Sequence, residues 1–336
     1  MLRRFLVATA AILALSAPAA AQTDAEWQKV VDAAKKEGKL VLYTAAIGVP
    51  FHKEVAKSFE DKYAIRVEIL EARASEVRER IRIEQASGRF TGDVHHNGST
   101  TTWLMQQDGA FQPHGGVPNA RNVIAPYEVT AHQVPSNVVS FTLLINSTMV
   151  KPADEPSSWK DILDPKWNGK ILSDDMRALG GGAVFFMVMH DAFGKEYHEK
   201  LATQKLVFSR DIRNSERRTA RGEYPLYVPF SLADYTLLKG LPVKVIIPVE
   251  GRPYVRFDLS VLKNAPHPNA ARLFIHHFLE IESQLVYANV GNNPVVKGVI
   301  ERASEDMRPY LATKAMGTTV PARQNEMLEL AKQLYK

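Results

Sequence analysis

Residues 23–45 read TDAEWQKVVDAAKKEGKLVLYTA, a polar segment followed by a short apolar run. Asp24 lies where a helix N-cap is expected, and Gly38 is typical of the residue that ends a helix. The apolar run KLVLYTA (39–45) has the length and composition of a buried strand. This stretch therefore predicts a helix that leads directly into a strand.

The same alternation continues in the next 60 residues. A helical segment, VPFHKEVAKSFEDKY, precedes the strand IRVEIL (65–70), and a second helix opens at Ser75. GDVHHNG then leads from a short strand into the helical STTTWLMQQDG. This order predicts a parallel sheet flanked by helices, in which ligands lie beyond the carboxyl ends of the strands. Those ends are residues 44–48, 71–75 and 97–100.

A second unit of the same kind follows a long irregular stretch. We predict strands at 170–173, 205–208 and 224–229 and helices at 182–192, 215–222 and 231–239. The fold class is therefore α/β with two lobes, each a mainly parallel sheet flanked by helices, and a ligand cleft between them. We expect lobe 1 to comprise 22–136 plus 248–282, and lobe 2 to comprise 137–247 plus 283–336.

The first 21 residues have the layout of a cleavable secretory signal. Arg3 and Arg4 precede the apolar stretch Phe5–Leu15, and small residues follow up to Ala21. The apolar stretch is too short to span a bilayer, and no other stretch approaches that length. We expect cleavage before Gln22 and a free periplasmic protein that is not inserted in a membrane.

Composition excludes several classes of site and partner. The 336 residues are 45% hydrophobic and 24% charged, which is ordinary for a soluble protein of two domains. Removing the two signal arginines from the formal charge of +5 leaves +3, spread along the chain, so nucleic acid is not an expected partner. The chain has no cysteine, which excludes disulfides, thiolate metal sites and cysteine nucleophiles.

No stretch has the pattern of a catalytic centre. Gly180–Gly182 lack the Lys and the hydroxyl that a Walker loop places on phosphate and magnesium. Ser157 and Lys160 fit the S-x-x-K of penicillin-recognising enzymes, but no K-T-G follows. The histidine pairs 95–96 and 276–277 are adjacent, so their rings point apart on a helix or strand. We expect a binding protein without catalytic residues, cofactor or metal site.

Arginines, glycines and hydroxyl residues at strand ends favour an anion-binding cleft. Arg73 and Arg213 lie beside helix starts, where a guanidinium could clamp a carboxylate or phosphate. The stretch KILSDDMRALGGGAVFF (170–186) is interpreted as a cleft wall, with backbone N–H groups facing the anion. Arg177 either faces the anion as well or pairs locally with Asp174 or Asp175 and shapes the turn. Helix starts near Ser75, Ser99, Gly182, Ser215 and Ser231 would converge there with their positive dipole ends. The predicted ligand-binding residues are Ala46, Ile47, Arg73, Asn97, Gly98, Ser99, Asp174, Arg177, Gly181, Arg213, Ser215, Phe230, Ser231 and Tyr235.

Longer stretches carry a family resemblance. They are FTGDVHHNG (90–98), SSWKDILDPKWNGKI (157–171), RGEYPLYVPFSLADYTLLKG (221–240) and KNAPHPNAARLFIHHFL (263–279). With them, the whole mature chain resembles the periplasmic solute-binding proteins of ABC importers, in the branch of the ferric-ion-binding proteins and their organic-solute relatives. The resemblance implies a monomeric type II fold that closes on its solute by a hinge and passes it to a membrane permease. It implies no chemistry on the solute.

The chain departs from the ferric ligand set that the resemblance implies. Ferric binders of that branch use a histidine after the first strand, a glutamate after the third, and adjacent tyrosines at a later helix start. Here these places hold Ile47 or Gly48, Gly98, and Phe230-Ser231. Because Fe³⁺ prefers hard anionic oxygen ligands, the sequence favours an organic anion such as a carboxylate, a sugar phosphate or a phosphonate.

The sequence allows further contacts with the solute and two alternative functions. Phe230, Tyr235 or Tyr254 could stack on a ring of the solute, and Asp174 could meet an amine, although core packing and turn formation are alternative roles. One alternative function is a receptor for ferric iron or a ferric chelate. The other is a secreted serine acyl-enzyme hydrolase with Ser157 as the nucleophile.

Overall fold

The computed structural model describes residues 24–336, so the predicted signal and its cleavage site lie outside the described residues. The first part alternates helices and strands as predicted. The elements are α1 Asp24–Glu37, β1 Lys39–Thr44, α2 Phe51–Tyr63, β2 Arg66–Glu71, α3 Ala74–Ala86, β3 Val94–Gly98 and α4 Ser99–Gln107. β1 lies between β2 and β3 and runs parallel to both, so the three carboxyl ends share one edge of the sheet.

The middle of the chain forms the second α/β unit. Its elements are β4 Val134–Asn146, β5 Ile171–Asp174, α5 Gly181–Phe193, α6 Lys195–Thr203, β6 Val207–Ser209, α7 Ile212–Ala220, β7 Leu226–Ser231, β8 Val243–Ile246 and β9 Arg252–Val261. β5 is parallel to both β6 and β7.

Two helix starts in this unit differ from the prediction. α7 begins three residues before Ser215, because the Asp211 side chain caps it by accepting the Asn214 N–H at 2.9 Å. Ser231 is still a strand residue, paired with Phe141 of β4. The helix predicted for 231–239 is therefore a short 3₁₀ segment, Leu232–Leu238.

The C-terminal part lies along both units. Its elements are α8 Pro268–Phe278, α9 Ile281–Ala288, β10 Asn293–Pro294, α10 Arg308–Leu311, β11 Ala315–Thr318 and α11 Gln324–Leu334. β10 pairs with β4, and β11 pairs with β9. The segment thus follows the two long strands that connect the halves of the molecule.

The long strands β4 and β9 carry the chain between the lobes. The main strand order is β2-β1-β3-β9-β4-β7-β5-β6. The first half of β4 pairs antiparallel with β9, and its second half, from Phe141, pairs with β7 and β8. The chain leaves the first lobe along β4 and returns along β9, which pairs with β3. This is the return that the predicted two-lobed fold requires.

Each lobe has its own hydrophobic core. The first contains Leu42, Phe59, Leu259, Phe274 and Tyr287, and the second contains Ile145, Trp159, Phe185, Val228 and Met327. Residues 283–336, predicted for lobe 2, divide between the two cores, because Val295, Val299 and Leu311 pack in the first while α11 packs in the second. We propose accordingly that lobe 1 extends to about residue 311 and that only the C-terminal helix belongs to lobe 2.

Candidate functional site

A cavity of about 140 Å³ lies between the lobes, where strand ends and helix starts of both meet. The segments after β1, β2 and β3 line it from the first lobe, and the starts of α5, α7 and α11 line it from the second. The crossing strands β4 and β9 contribute Val139, Phe141, Val255 and Phe257. The predicted residues that line it are Ala46, Ile47, Arg73, Asn97, Gly98, Asp174, Gly181, Arg213 and Ser231.

The glycine stretch packs the start of α5 against Asp174. Gly180 has a φ of +151°, and a Cβ there would lie 3.0 Å from Nη2 of Arg73. A Cβ on Gly182 would lie 2.7 Å from the backbone of Asp175. The Gly182 N–H donates to Oδ2 of Asp174 at 2.8 Å. This N–H, predicted to face the solute, therefore binds a carboxylate of the protein.

Arg73 and Asp174 form an ion pair across the cleft. Arg73 Nη2 lies 2.9 Å from Oδ1 of Asp174, and both side chains are buried. Nη1 of Arg73 also donates to the backbone carbonyl of Arg210 at 2.6 Å. Arg73 extends from the first lobe, and both partners belong to the second. The predicted guanidinium clamp thus joins the lobes and is neutralised by a carboxylate of the protein.

Arg213 is held by two carboxyl groups of its own lobe. Its Nη1 lies 2.6 Å from Oε2 of Glu216, and its Nη2 lies 2.9 Å from Oδ2 of Asp234. Its Nε donates across the cleft to the carbonyl of Ile47 at 3.1 Å. Burial and, next, the neighbouring Asp234 carboxylate raise the pKa of Glu216 above its ordinary value. Neither predicted arginine therefore brings an uncompensated positive charge to the cavity.

Five buried donors that line the cavity have no hydrogen-bond partner within residues 24–336. They are Nε of Arg73, Nδ2 of Asn97, the hydroxyl of Tyr287, Nδ2 of Asn292 and Nε2 of Gln324. The Oδ1 atom of Asn97 accepts the Gly98 N–H at 2.8 Å, which fixes the amide with its NH₂ group free. Buried polar groups in folded proteins are nearly always satisfied, so these donors point to a hydrogen-bonded occupant of the cavity.

Three of these donors, and the acidic partner Asp234, were missed in the sequence. Tyr287, Asn292 and Gln324 belong to the C-terminal part, whose return to the cleft has no local sequence signal. Gln324 is the first residue of α11 and follows the Pro-Ala-Arg turn at 321–323, a helix-start signal that could have marked it. Asp234 lies inside the FSLADY stretch, but the 3₁₀ geometry there was not predicted.

Comparison with known proteins identifies the family. Residues 103–314 match the sequence profile of the family described as bacterial extracellular solute-binding protein. The chain belongs to this family. Such proteins work outside the cytoplasm, bind a small solute and serve the membrane permease of an ABC importer. The family is a transport component, not an enzyme.

Two individual proteins are similar to this chain in sequence. A protein of Haemophilus influenzae is 24% identical over 272 residues, covering 76% of this chain and 77% of that one. Iron uptake protein A1 of Synechocystis is 27% identical over 135 residues, which is 35% of this solute-binding protein and 33% of that one.

Two solved structures show the shared two-lobed fold. Iron-bound HitA of Pseudomonas aeruginosa has a TM-score of 0.72 at 20% identity and covers 88% of this chain and 99% of its own. AfuA of Actinobacillus pleuropneumoniae, solved with fructose 6-phosphate, has a TM-score of 0.68 at 19% identity and covers 89% and 96%. Among the described helices of this solute-binding protein, none is long and apolar enough to cross a membrane.

Five predicted site residues are not among those that line the cavity. Arg177 instead binds Asp175 at 2.8 Å, lies over the ring of Phe208 and donates to the Tyr335 carbonyl. The other four are Ser99, Ser215, Phe230 and Tyr235. The Ser215 hydroxyl donates to the Asp211 carbonyl within its own helix, and Phe230 and Tyr235 belong to the hydrophobic cluster behind β7. Tyr254, a candidate for stacking, packs against the first core.

Both histidines of β3 are buried. Burial lowers the pKa of His95 and of His96 to about 3, so both rings are neutral at physiological pH. The His96 ring, which lines the cavity, hydrogen-bonds Thr44 on one side and Ser136 and Asn137 on the other. In the described part of the chain, no group of three or more His, Cys, Asp or Glu side chains could hold a metal ion.

The S-x-x-K match lies on the surface of the second lobe, outside the cavity wall. The Ser157 hydroxyl donates to Oδ2 of Asp161 at 3.0 Å, the pattern of a local turn. The Lys160 ammonium lies 4.9 Å from the ring centroid of Phe193. Each group thus has a structural partner, which disfavours the acyl-enzyme alternative.

Proposed function

We propose that this protein captures a small organic anion between its lobes and delivers it to the permease of an ABC importer. The family supplies the transport role, and the anionic class of the solute is the part inferred here. The observation that carries it is the set of five unpartnered donors, Arg73, Asn97, Tyr287, Asn292 and Gln324, around one cavity.

The five unpartnered atoms are all hydrogen-bond donors. Within the described residues, each unpartnered buried side-chain atom of the cavity wall can donate a hydrogen bond, and of these only the Tyr287 hydroxyl can also accept one. A cation or an amine would need acceptors, whereas the oxygens of an acid group accept from several donors at once. A carboxylate alone offers about four acceptor positions, which is close to the number of unpartnered donors in the cavity wall.

Ferric iron is a weaker candidate for the same cavity. The oxygen ligands that Fe³⁺ prefers are carboxylates and phenolates. Asp174 and Asp234 are already bound by Arg73 and Arg213. Two tyrosines, Tyr227 and Tyr287, line the cavity, but in the described part of the chain no group of three or more His, Cys, Asp or Glu side chains could hold a metal ion. Iron appears in the names of several relatives, so it belongs in the test.

A thermal-shift screen tests the class of solute. The protein is unfolded and refolded to remove carried-over solute, then mixed with organic acids, sugar phosphates, phosphonates, amino acids, neutral sugars or ferric citrate. A ligand at about 100 times its dissociation constant stabilises the fold by about 2.7 kcal/mol. For a mature chain of about 315 residues, whose entropy of unfolding is about 0.66 kcal/mol/K, we expect a rise in melting temperature of roughly 4 °C. A dose-dependent rise with an organic anion supports the proposal, and a rise with ferric citrate or neutral sugars alone contradicts it.

A further inference from the structure

Most of the wall of the cavity is apolar. Aliphatic and aromatic side chains line most of it, among them Ile47, Val49, Val139, Phe141, Val184 and Phe257. A solute rich in hydroxyl groups, such as a sugar, would lose its hydrogen bonds to water against this surface without replacing them. An apolar body, in contrast, gains by leaving water.

The volume of the cavity limits the size of that body. The cavity measures about 140 Å³. A cavity of about 150 Å³ holds one benzene molecule, whereas sites for drug-sized ligands measure about 300–1,000 Å³. A solute of about the size of benzene, such as a short branched-chain acid, therefore fits, and a hexose phosphate is too large for the cavity.

The charges around the cavity limit the charge of the solute. Arg73 is paired with Asp174, and Arg213 is shared between Asp234 and Glu216. With Glu216 neutral, these groups sum to no net charge, and with Glu216 ionised they sum to a negative one. A dianion buried there would meet no uncompensated cation. A monoanion has half the charge to compensate, and the neutral donors of Asn, Gln and Tyr side chains can solvate it.

We propose that the solute is a compact monocarboxylate with an apolar body, of about the size of a short branched-chain acid. The carboxylate oxygens accept from the amide and hydroxyl donors of Asn97, Tyr287, Asn292 and Gln324. The body packs against the apolar wall. This inference rests on the proposed function, since it names a class within the organic anions.

Isothermal titration calorimetry with matched ligands tests it. The refolded protein is titrated with aliphatic, 2-oxo and aromatic monocarboxylates, each beside the phosphonate and the amide of the same body, and with fructose 6-phosphate. At a pH where the phosphonates are doubly charged, we expect at least one carboxylate to bind about tenfold or more tighter than its phosphonate and its amide.

The outcomes separate this inference from the proposed function. If a phosphonate or fructose 6-phosphate binds and every monocarboxylate fails, the inference is overturned and the organic-anion function stands. If an amide binds as tightly as its acid, the charge of the solute is irrelevant and both are overturned. Both also fail if ferric citrate binds and no organic anion does.

A single substitution tests the charge argument independently. Asp174→Asn removes one negative charge and leaves the Arg73 guanidinium uncompensated beside the cavity. We expect the affinity ratio of phosphonate to carboxylate to rise by about tenfold in this variant. Because the ratio is taken within one protein, any loss of the ion pair that joins the lobes affects both ligands alike. An unchanged ratio would refute the role of local charge.

Discussion

Replacing Gln324 with Glu exchanges a donor of the cavity for an acceptor of nearly the same shape. Gln324 is buried, its Nε2 atom has no partner in the described chain, and it is the first residue of α11. A negative charge at a helix N-terminus is favourable, but burying a carboxylate costs more free energy than this contact returns, so we expect the variant to be less stable than the wild type. The melting temperature of the variant is therefore measured beside its affinity, so that a loss of binding is assigned to the solute contact only in folded protein.

The expected loss follows from two terms. A hydrogen bond to a charged acceptor contributes about 1.5–3 kcal/mol, so its removal alone weakens binding by about 10- to 150-fold. Two like charges about 4 Å apart repel by about 4 kcal/mol at an effective dielectric constant of 20, which adds roughly another thousandfold. We therefore expect the Gln324→Glu protein to bind its organic acid at least about a hundredfold more weakly at neutral pH. Acidification should restore part of the affinity as the new carboxyl takes up a proton.

Asn325→Asp is the matched control. Asn325 is exposed, lies one residue further along the same helix and gains the same charge. Calorimetry should give wild-type affinity for Asn325→Asp and a large loss for Gln324→Glu, with both variants folded at the temperature of the titration. Equal affinity of all three proteins would refute the assignment of Gln324 to the solute. Equal losses in both variants would show that only the long-range charge matters.

Three further predictions concern the cleft and the stability of the fold. Arg73→Ala and Arg213→Ala should each weaken solute binding by more than about tenfold, because each removes a contact across the cleft. Unchanged affinity of both variants in titrations would contradict the proposed binding site. Burial raises the pKa of Asp258 to about 6, above its value near 3.9 in the unfolded chain. Because the unfolded chain loses this proton at lower pH, the free energy of unfolding falls by up to about 3 kcal/mol as pH rises from about 4 to 6. The melting temperature of Asp258→Asn relative to wild type should therefore increase over that interval and level off above it, and a parallel pH profile would contradict this. Burial opposes ionisation of Glu280, but bonds from a neighbouring histidine and from Lys62 lower its pKa to about 2. This stabilisation is present above about pH 4.5 and lost as pH falls towards 2, so Glu280→Gln should cost about 1–2 kcal/mol in urea unfolding at pH 7 and nothing near pH 2.

The alternation of helices and strands could be predicted because it depends on local patterns of apolar and polar residues. KLVLYTA and IRVEIL form β1 and β2 within a residue or two of their predicted bounds. Since parallel strands place their carboxyl ends together, the segments around Ala46, Arg73 and Asn97 could be assigned to one edge without knowing the packing. These three residues line the cavity.

The site residues of the second lobe were harder to predict, because an error of one or two residues in the bounds of a strand changes which side chains point to the cleft. β7 begins and ends two residues later than predicted, and Ser231 remains in the strand, so the positions of Phe230 and Tyr235 relative to the cleft could not be derived. Arg177 lies two residues from Asp175, and only the folded turn decides that the guanidinium binds this carboxylate instead of a solute.

The partners of the arginines could not be predicted at all. Asp174 is 101 residues from Arg73 in the sequence, and the contact depends on how the two lobes pack against each other. The sequence suggested that the arginines would carry the binding of an anion. In the structure they are largely compensated, and neutral donors from distant segments, Asn292 and Gln324 among them, take that role in our account.

Native mass spectrometry would test the central claim most directly. The refolded protein is equilibrated with an equal mixture of monocarboxylates, sugar phosphates, phosphonates and ferric citrate, and the masses of the intact complexes are recorded beside those of the Gln324→Glu protein. The account predicts one adduct with the mass of a single monocarboxylate, absent from the variant. An adduct that contains iron, or one that persists unchanged in the variant, would contradict it.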